Sequence, residues 1–195
     1  MKFAALILNL LICSAVLRAD PASTQPIHLP TDTVLHNQKD QPVRPLELAS
    51  GHRAVVLIFI STDCPISNSY APAIADLCRG FTPKGIDFYT VYEDSPLTPA
   101  AATAHHDAYG FPCDALLDPQ QQIAHVSGAT VTSEAIVAGA GGTLLYRGRI
   151  DDQYVAVGKK RFAATTHELK DALSQIAADQ TVNVSSMPAV GCSIP

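Results

Sequence analysis

The sequence has no cluster of basic residues. Its 13 Lys and Arg against 18 Asp and Glu give a formal net charge of −5, and neither sign collects in one stretch. Proteins that bind nucleic acid use a basic patch to neutralise phosphates, so this class of function is disfavoured. The sequence also has no Gly-rich phosphate loop and no internal repeat, which argues against a P-loop nucleotide site and a repeat architecture.

Cysteine is scarce, since the whole chain has 5. Four of them follow residue 19, at Cys64, Cys78, Cys113 and Cys192. An even number permits disulfides in an oxidising compartment, but four are too few to scaffold a chain of this length. We interpret them as individually functional residues rather than as a disulfide framework.

Residues 1–19 have the pattern of a secretory signal peptide. Lys2 precedes a nearly continuous apolar run, and Ala19 offers a small residue before a cleavage site. The run is short for a membrane span, which needs about 20 residues. The sequence therefore predicts an exported protein, periplasmic or extracellular. The alternatives are an uncleaved membrane anchor and a lipoprotein modified at Cys13, which Ile12 disfavours because a small residue is expected before the cysteine.

The chain after the leader predicts a lead-in at 20–33, one domain at 34–178 and an extended tail at 179–195. Residues 54–60 are an unbroken apolar run, typical of a central strand covered on both sides. A helix is predicted from Cys64 or Pro65, since Pro suits a first helical turn. The other predicted elements are a strand at 86–92, helices at 99–109 and 118–125, hairpin strands at 130–138 and 143–146, and a helix that begins at Thr165 or Thr166 with a Thr165–Glu168 capping box.

The order of these elements predicts the fold class. Two parallel strands joined by a helix, followed by an antiparallel hairpin and a closing helix, give an α/β protein with a mixed central sheet and helices on both faces. This three-layer sandwich is similar to the thioredoxin fold.

Cys64 is the leading candidate for a catalytic residue. It follows a predicted central strand, and sites in open α/β sheets form at the carboxyl ends of strands. It also lies at a predicted helix N-terminus, where the dipole stabilises a thiolate by roughly 0.3–2 kcal/mol. The neighbouring Asp63 opposes this effect if the two side chains are close.

Three segments carry a family resemblance. Residues 61–68 read Ser-Thr-Asp-Cys-Pro-Ile-Ser-Asn, and Pro72 follows at the position of a helix-kinking proline. This segment resembles the active-site segment of the redoxin group, which includes thiol-disulfide oxidoreductases and peroxiredoxins, and most of all an exported bacterial subgroup with the motif DCPISN. Residues 146–152 and 190–194 also resemble that subgroup, so the likeness covers about 34–195.

The sequence departs from the pattern of the group at several positions. Ser67 replaces the second cysteine of the thioredoxin C-x-x-C motif, so Cys64 has no near neighbour for a disulfide. Leu57 and Ser61 stand where peroxiredoxins have Pro and Thr. Ser133 aligns with the cis-proline that faces the active cysteine, and a trans bond is predicted there because a cis bond before a non-proline residue costs about 3–4 kcal/mol.

A single attacking thiol needs a second sulfur to release a mixed disulfide. Cys192 is the first candidate, because the tail is long enough to return to the site. The alternative is a structural disulfide that pins the tail, worth about 4–5 kcal/mol on the chain-entropy model. Cys113 is the second candidate for the resolving residue. Cys78 falls on an apolar helix face and is predicted to be an inert core residue.

Two further residues, Ser67 and Arg149, complete the candidate site. Ser67 and the N–H groups of the helix start are predicted to stabilise the thiolate. Arg149 either approaches the thiolate or forms a surface ion-pair turn with Asp151 and Asp152. Adjacent histidines at 105 and 106 suggest a metal only weakly, and we interpret them as solvated helix residues.

The sequence thus predicts an extracytoplasmic thiol-dependent oxidoreductase that acts on disulfides or peroxides through Cys64 and is recycled by an external thiol reductant. No cofactor or metal is expected, and a membrane partner only if the leader is retained. Two alternatives stay open. One is a copper-handling protein of the same fold, because Cu(I) favours thiolates. The other is a binding module of this fold that has lost turnover.

Overall fold

The computed structural model describes residues 26–48 and 51–195, so the predicted leader lies outside the described residues. In chain order the strands are β1 (Leu35–Asn37), β2 (Pro42–Val43), β3 (Ala54–Ile60), β4 (Ile86–Tyr92), β5 (Asp114–Leu117), β6 (Ala135–Gly139), β7 (Leu144–Gly148), β8 (Tyr154–Ala156), β9 (Lys159–Lys160) and β10 (Ser186–Met187). The α-helices are α1 (Pro65–Ser69), α2 (Ala71–Phe81), α3 (Pro99–Tyr109), α4 (Gln122–Ser127) and α5 (Glu168–Ala177).

Eight of the strands form one mixed sheet in the order β10-β7-β6-β3-β4-β5-β1-β2. Strands β3, β4 and β5 run parallel to one another, while β6 is antiparallel to β3. Strands β6 and β7 form the predicted hairpin, whose turn places Gly141 and Gly142 at positive φ. The remaining two strands, β8 and β9, pair separately as a small ribbon.

The centre of the sheet is β3, and all seven of its residues are buried. Its alternate side chains enter two apolar clusters on opposite faces. Val56 and Ile58 pack with residues of α2 and α5, whereas Leu57 and Phe59 pack with residues of α4. The sheet is therefore covered on both faces, which confirms the predicted thioredoxin-like α/β sandwich.

The segment after β3 forms two short helices rather than one. Cys64 has extended backbone angles as the N-cap of α1, and Pro65 follows at the first turn, as predicted. The helix is interrupted at Tyr70, which is both the C-cap of α1 and the N-cap of α2. Pro72 lies in the first turn of α2, where its missing N–H costs nothing, whereas in the middle of one continuous helix it would remove a hydrogen bond.

Three predicted boundaries were wrong for identifiable reasons. Strand β5 was not assigned, and the next helix begins at Gln122 because the Asp118 carboxylate accepts hydrogen bonds from N–H groups of its first turn. The first hairpin strand begins at residue 135, after the loop described below. The closing helix begins at Glu168 without a capping box, because Thr165 hydrogen-bonds Asp152 instead.

Both flanking segments join the domain. Leu29 is buried, and its N–H donates to the carbonyl of Gly142 in the hairpin turn, so the lead-in is not simply a surface segment. The tail contributes β10, which pairs with β7 at the edge of the sheet. Among the helices of residues 26–48 and 51–195, none has the length and apolar character to cross a membrane.

Candidate active site

A disulfide joins Cys64 to Cys192 across a sequence separation of 128 residues, with 6.0 Å between the two Cα atoms. Cys64 lies just past the carboxyl end of β3, at the start of α1. Its exposed fraction is only 1%. Cys192 is half-buried, so it is the more accessible sulfur of the pair.

The tail reaches Cys64 by pairing with the loop before β6. Ser193 forms an antiparallel bridge with Val131, and the N–H of Ile194 donates to the carbonyl of Thr130. A Cβ atom added to Gly191 would lie 1.9 Å from the Thr132 carbonyl oxygen. Only glycine therefore permits the tail to approach this loop so closely.

Thr132 contacts both ends of the disulfide. Its hydroxyl donates to Cys64 Sγ at 3.0 Å and accepts from the Cys192 N–H at 3.0 Å. Its own N–H donates to the Cys192 carbonyl at 2.8 Å. Thr132 was not among the predicted site residues, although its position just before Ser133 was the available signal.

Ser133 occupies the loop position that the alignment predicted. The peptide bond before it is trans, as predicted, and its φ of 61° lies in the left-handed region. Its N–H donates to the carbonyl of Phe59 in β3 at 2.5 Å. Its hydroxyl lies 3.1 Å from the carbonyl oxygen of Val190, so this residue ties the tail to the central strand.

Ser67 is fully buried beneath the site. Its hydroxyl donates to the carbonyl oxygen of Cys64 at 3.1 Å, and it lies 3.4 Å from the backbone N–H of Ser61. These contacts hold the turn between β3 and α1. They place the Ser67 hydroxyl on the backbone of Cys64 and not on its sulfur, so the predicted role beside the thiolate becomes a positioning role.

A second set of polar contacts fixes the outer side of this turn. Asp94 accepts from the N–H of Thr62 at 3.0 Å, and the Asn68 side chain donates to the carbonyl of Thr62 at 3.0 Å. His105 contacts Asn68 Oδ1 through Nε2 and the Tyr92 hydroxyl through Nδ1. Burial lowers the pKa of His105. His105 is therefore part of the support of the site, and its interpretation as a solvated helix residue was wrong.

Glu93 is a buried acid that the sequence analysis missed. It follows β4 directly, and continuation of the β3–β4 register places it beside Ser61. Its exposed fraction is 4%, and one carboxyl oxygen has no hydrogen-bond partner among the described residues. Burial raises the pKa of Glu93 to about 8, so the carboxyl group is neutral at pH 7.

Arg149 does not lie at the thiol. Its guanidinium contacts the Glu168 carboxylate and the Thr166 hydroxyl. Asp152 pairs with Arg161 instead of Arg149. Both predicted roles of Arg149 were therefore wrong, because α5 brings Glu168 against the end of β7.

Cys113 is likewise away from Cys64. It is a free thiol that packs against the apolar cluster containing Cys78, which is buried on α2 as predicted. Since Cys192 already pairs with Cys64, the structure leaves no role for Cys113 as the partner of Cys64. His106 is buried, so the interpretation of this histidine as solvated was also wrong.

The described residues contain no group of three or more His, Cys, Asp and Glu side chains arranged to hold a metal ion.

Comparison with known families decides the assignment. The sequence matches the AhpC/TSA family over residues 28–148, which is more than half of the chain. The protein belongs to the AhpC/TSA family. The match includes Cys64 and Thr132 but ends before Cys192, so the tail is an addition to the matched region. No curated protein matches the sequence.

Solved structures agree with this AhpC/TSA assignment at the level of the fold. An uncharacterized conserved protein of Geobacillus kaustophilus has a TM-score of 0.70 at 22% identity and covers 86% of this chain and 90% of its own. A hypothetical protein of Sinorhizobium meliloti has a TM-score of 0.72 at 22% identity, with 88% and 94% covered. A secreted disulfide oxidoreductase of Mycobacterium tuberculosis, homologous to E. coli DsbE, has a TM-score of 0.50 at 16% identity, with 75% and 95% covered.

Proposed function

We propose that this AhpC/TSA protein is an extracytoplasmic thiol-disulfide oxidoreductase whose redox couple is Cys64 and Cys192. The observation that carries the proposal is the disulfide between these residues, one at the carboxyl end of the central strand and the other on the tail. Such a pair replaces the C-x-x-C motif, since the second sulfur comes from a distant segment rather than from position 67.

Reduction begins at Cys192, because Cys64 is buried and Cys192 is half-buried. A thiolate of the external reductant attacks Cys192 Sγ, the Cys64–Cys192 bond breaks, and Cys64 leaves as a thiolate. The Thr132 hydroxyl already points at Cys64 Sγ and stabilises the developing charge. A second thiol of the reductant then displaces Cys192, so the reductant leaves as a disulfide and the protein holds two thiols.

The reduced protein then reduces a disulfide of its substrate. Release of residues 190–194 uncovers Cys64, whose thiolate attacks one sulfur of a substrate disulfide and expels the other as a thiolate. Cys192 then attacks the mixed disulfide at Cys64, which frees the second substrate thiol and closes the Cys64–Cys192 bond. One substrate disulfide becomes two thiols, and the protein returns to its oxidised state.

The contacts of the site favour disulfides over peroxides as substrates. Arg149, which the sequence offered as a cation for the thiolate, is bound to Glu168. The Ser61 hydroxyl accepts from the Asp63 N–H within its own turn, at 3.4 Å. The tail in turn pairs with residues 130–133 as an extended segment, which is the way a peptide substrate would lie there.

The extracytoplasmic location is part of the proposal. The predicted leader at 1–19 supports it, and so does the pairing of Cys64 with Cys192, because disulfides persist in oxidising compartments. Membership in the exported subgroup with the DCPISN motif is proposed on the same basis.

The test is turnover of a model disulfide substrate by the reduced protein, with a dithiol as reductant. We expect C64S to abolish turnover and C192S to stop at a mixed disulfide on Cys64. The matched control is C113S, which removes a cysteine outside the couple and keeps turnover. Undiminished turnover by C64S would end the proposal, and a Cys64 that resists alkylation in the reduced protein would favour the binding-module alternative. Hydrogen peroxide in place of the disulfide decides the substrate class.

A further inference from the structure

We propose that residues 154–162 form a docking surface for an acidic, partly apolar segment of the disulfide substrate, about six residues away from its reacting cysteine. We call this segment of the protein the basic ribbon. It consists of β8, a turn at Gly158, β9, Arg161 and Phe162. The proposal rests on the proposed function of Cys64, since it names the class of disulfide that Cys64 selects.

Positive charge is concentrated in the basic ribbon. Lys159, Lys160 and Arg161 are consecutive in a chain whose formal net charge is −5, and residues 153–167 contain no Asp or Glu. Arg161 pairs with Asp152 at 3.3 Å. The two lysines are exposed, and neither has an ion-pair partner among the described residues. The ribbon therefore presents two uncompensated positive charges, to which an acidic segment is complementary.

The basic ribbon also exposes large apolar side chains. Phe162 is fully exposed and Val157 is 75% exposed, and they are the two most exposed of the large apolar residues that the structure describes. Val155, on β8, is also exposed. Apolar side chains that stand in water beside cations are typical of interaction surfaces, because contact with a partner removes them from water. The complementary segment is therefore apolar as well as acidic.

Tyr154 joins the basic ribbon to the helix that follows Cys64. Its hydroxyl lies 2.7 Å from the hydroxyl oxygen of Ser69, the last residue of α1. Its ring centroid is 5.5 Å from that of Tyr70, and the ammonium group of Lys160 lies 5.1 Å from the centroid of the Tyr154 ring. Cys64 is the N-cap of the same helix. The ribbon is therefore held against the active-site helix at a fixed position.

The basic ribbon and Cys64 lie at the same end of the central sheet. Ala135 pairs with Ile58 near the end of β3 and with Gly148 at the end of β7, so both strands finish at one edge. Cys64 follows β3, and the ribbon follows β7. The path from Cys64 along α1 to the nearer ammonium group of the ribbon is about 20 Å, which corresponds to about six residues of extended chain. A substrate whose disulfide lies at Cys64 can therefore reach the ribbon.

This arrangement predicts a preference between disulfide substrates. A substrate with an acidic segment at the right distance contacts Lys159 and Lys160 while its disulfide lies at Cys64, so the contact both speeds encounter and orients the disulfide. A basic segment in the same place is repelled. Two exposed ion pairs correspond to a preference of about tenfold, and salt decreases it because the charges are in water.

The experiment compares two peptides of equal length, each joined through a single cysteine to thionitrobenzoate. Release of this group by the reduced protein is read by absorbance, with C64S as the blank. One peptide has Glu residues and a Leu at about six residues from the cysteine, and the other has Lys residues and a Leu there. The acidic peptide should react about tenfold faster at low salt, and the two rates should converge at high salt.

Charge reversal tests the basic ribbon directly. K159E/K160E should reverse the preference between the peptides. The matched control is K39E/K84E, which changes the net charge equally at the opposite end of the parallel strands, since residue 39 follows β1 and residue 84 precedes β4. This control should keep the preference. Phe162→Ser should slow the acidic peptide about fivefold, whereas Val126→Ser, at an exposed apolar residue of α4, should not.

Several results would overturn the docking surface. Equal rates for the two peptides would do so, as would a preference that K159E/K160E retains or that K39E/K84E loses. Equal rates together with binding to vesicles of phosphatidylglycerol and phosphatidylcholine, lost in K159E/K160E, would assign the ribbon to an anionic lipid surface instead. Equal rates together with a dimer that K159E/K160E does not form would assign it to a second copy of the chain.

A binding measurement separates this proposal from the proposed function. Fluorescence anisotropy of a labelled acidic peptide without cysteine reports its binding to the oxidised protein and needs no thiol chemistry. Binding that K159E/K160E weakens would support the docking surface even if thionitrobenzoate release did not exceed the C64S blank, a result that would contradict the function of Cys64. Equal binding to the parent and to K159E/K160E would overturn the docking surface, whatever the turnover at Cys64.

Discussion

The hydroxyl of Thr132 donates a hydrogen bond to Cys64 Sγ at 3.0 Å. The same oxygen accepts from the N–H of Cys192, so one side chain holds both partners of the disulfide. In the oxidised protein this contact is weak, because a disulfide sulfur is a poor acceptor. After reduction the acceptor is a thiolate, and the same hydrogen bond becomes charge-assisted.

We expect Thr132→Val to destabilise the thiolate form of Cys64 relative to its thiol form. Loss of a hydrogen bond to a charged group costs about 1.5–3 kcal/mol, which is about one to two pH units. The pH profile of Cys64 alkylation in the reduced protein should move up by that amount. Thr132→Ser keeps the hydroxyl and should keep the profile, and identical profiles for both variants and the parent would contradict this role.

Gly191→Ala should open the disulfide. The added Cβ would meet the Thr132 carbonyl oxygen at 1.9 Å, and such overpacking costs about 1–3 kcal/mol. Equilibration with a glutathione buffer should then favour the reduced protein by roughly fivefold or more. The matched control is Gly80→Ala, since a Cβ at Gly80 on α2 meets nothing within 4 Å. Equal redox equilibria in the two variants would show that the close approach of the tail is unimportant.

Glu93 should make the protein less stable as the pH rises. Burial raises its pKa to about 8, so folding keeps the carboxyl group neutral while the unfolded chain ionises it near pH 4.5. The neutral form contributes its full stabilisation below about pH 4.5. This stabilisation decreases as the pH rises from about 4.5 to 8, by at most about 1.4 kcal/mol per pH unit.

Urea unfolding at pH 5 and pH 8 tests this dependence. Glu93→Gln mimics the neutral acid and should gain stability over the parent at pH 8 but little at pH 5. The exposed Glu47, which pairs with Arg44 on the surface, provides the control variant E47Q. A parent and an E93Q protein that lose stability equally between the two pH values would contradict the assignment.

Arg149→Met should affect stability and leave thiol chemistry unchanged. It removes the partner of Glu168, whose other carboxyl oxygen is buried without a hydrogen bond in the described structure. A stranded polar group of this kind costs about 1–3 kcal/mol. The double variant R149M/E168L should recover part of that loss. A changed rate of Cys64 alkylation in R149M would instead restore the role at the thiolate that the sequence suggested.

Local sequence patterns were sufficient for the elements that carry the site. The bounds of β3, β4 and α3 agree with the predicted 54–60, 86–92 and 99–109, because apolar runs and flanking Pro or Gly determine them. The placement of Cys64 followed from the same pattern, since a strand that ends before Cys-Pro leaves the cysteine at a helix start.

The contacts that depend on the tertiary fold were not accessible from local patterns. Thr132 meets Cys64 only because the tail and the loop before β6 pair across the end of β3. Arg149 meets Glu168 because α5 packs against β7. Cys113 packs against the apolar cluster of Cys78 because the short strand β5 lies beside β4. Each of these pairs joins segments that are distant in the sequence.

The most direct test of the account is a redox titration of the full chain, with Cys64 and Cys192 quantified by alkylation and mass spectrometry while disulfide turnover is measured in the same samples. The account predicts that the Cys64–Cys192 bond opens and closes reversibly, and that turnover falls together with loss of either cysteine. A bond that stays closed while the protein turns over substrate would show that it only pins the tail, and would contradict the proposed function.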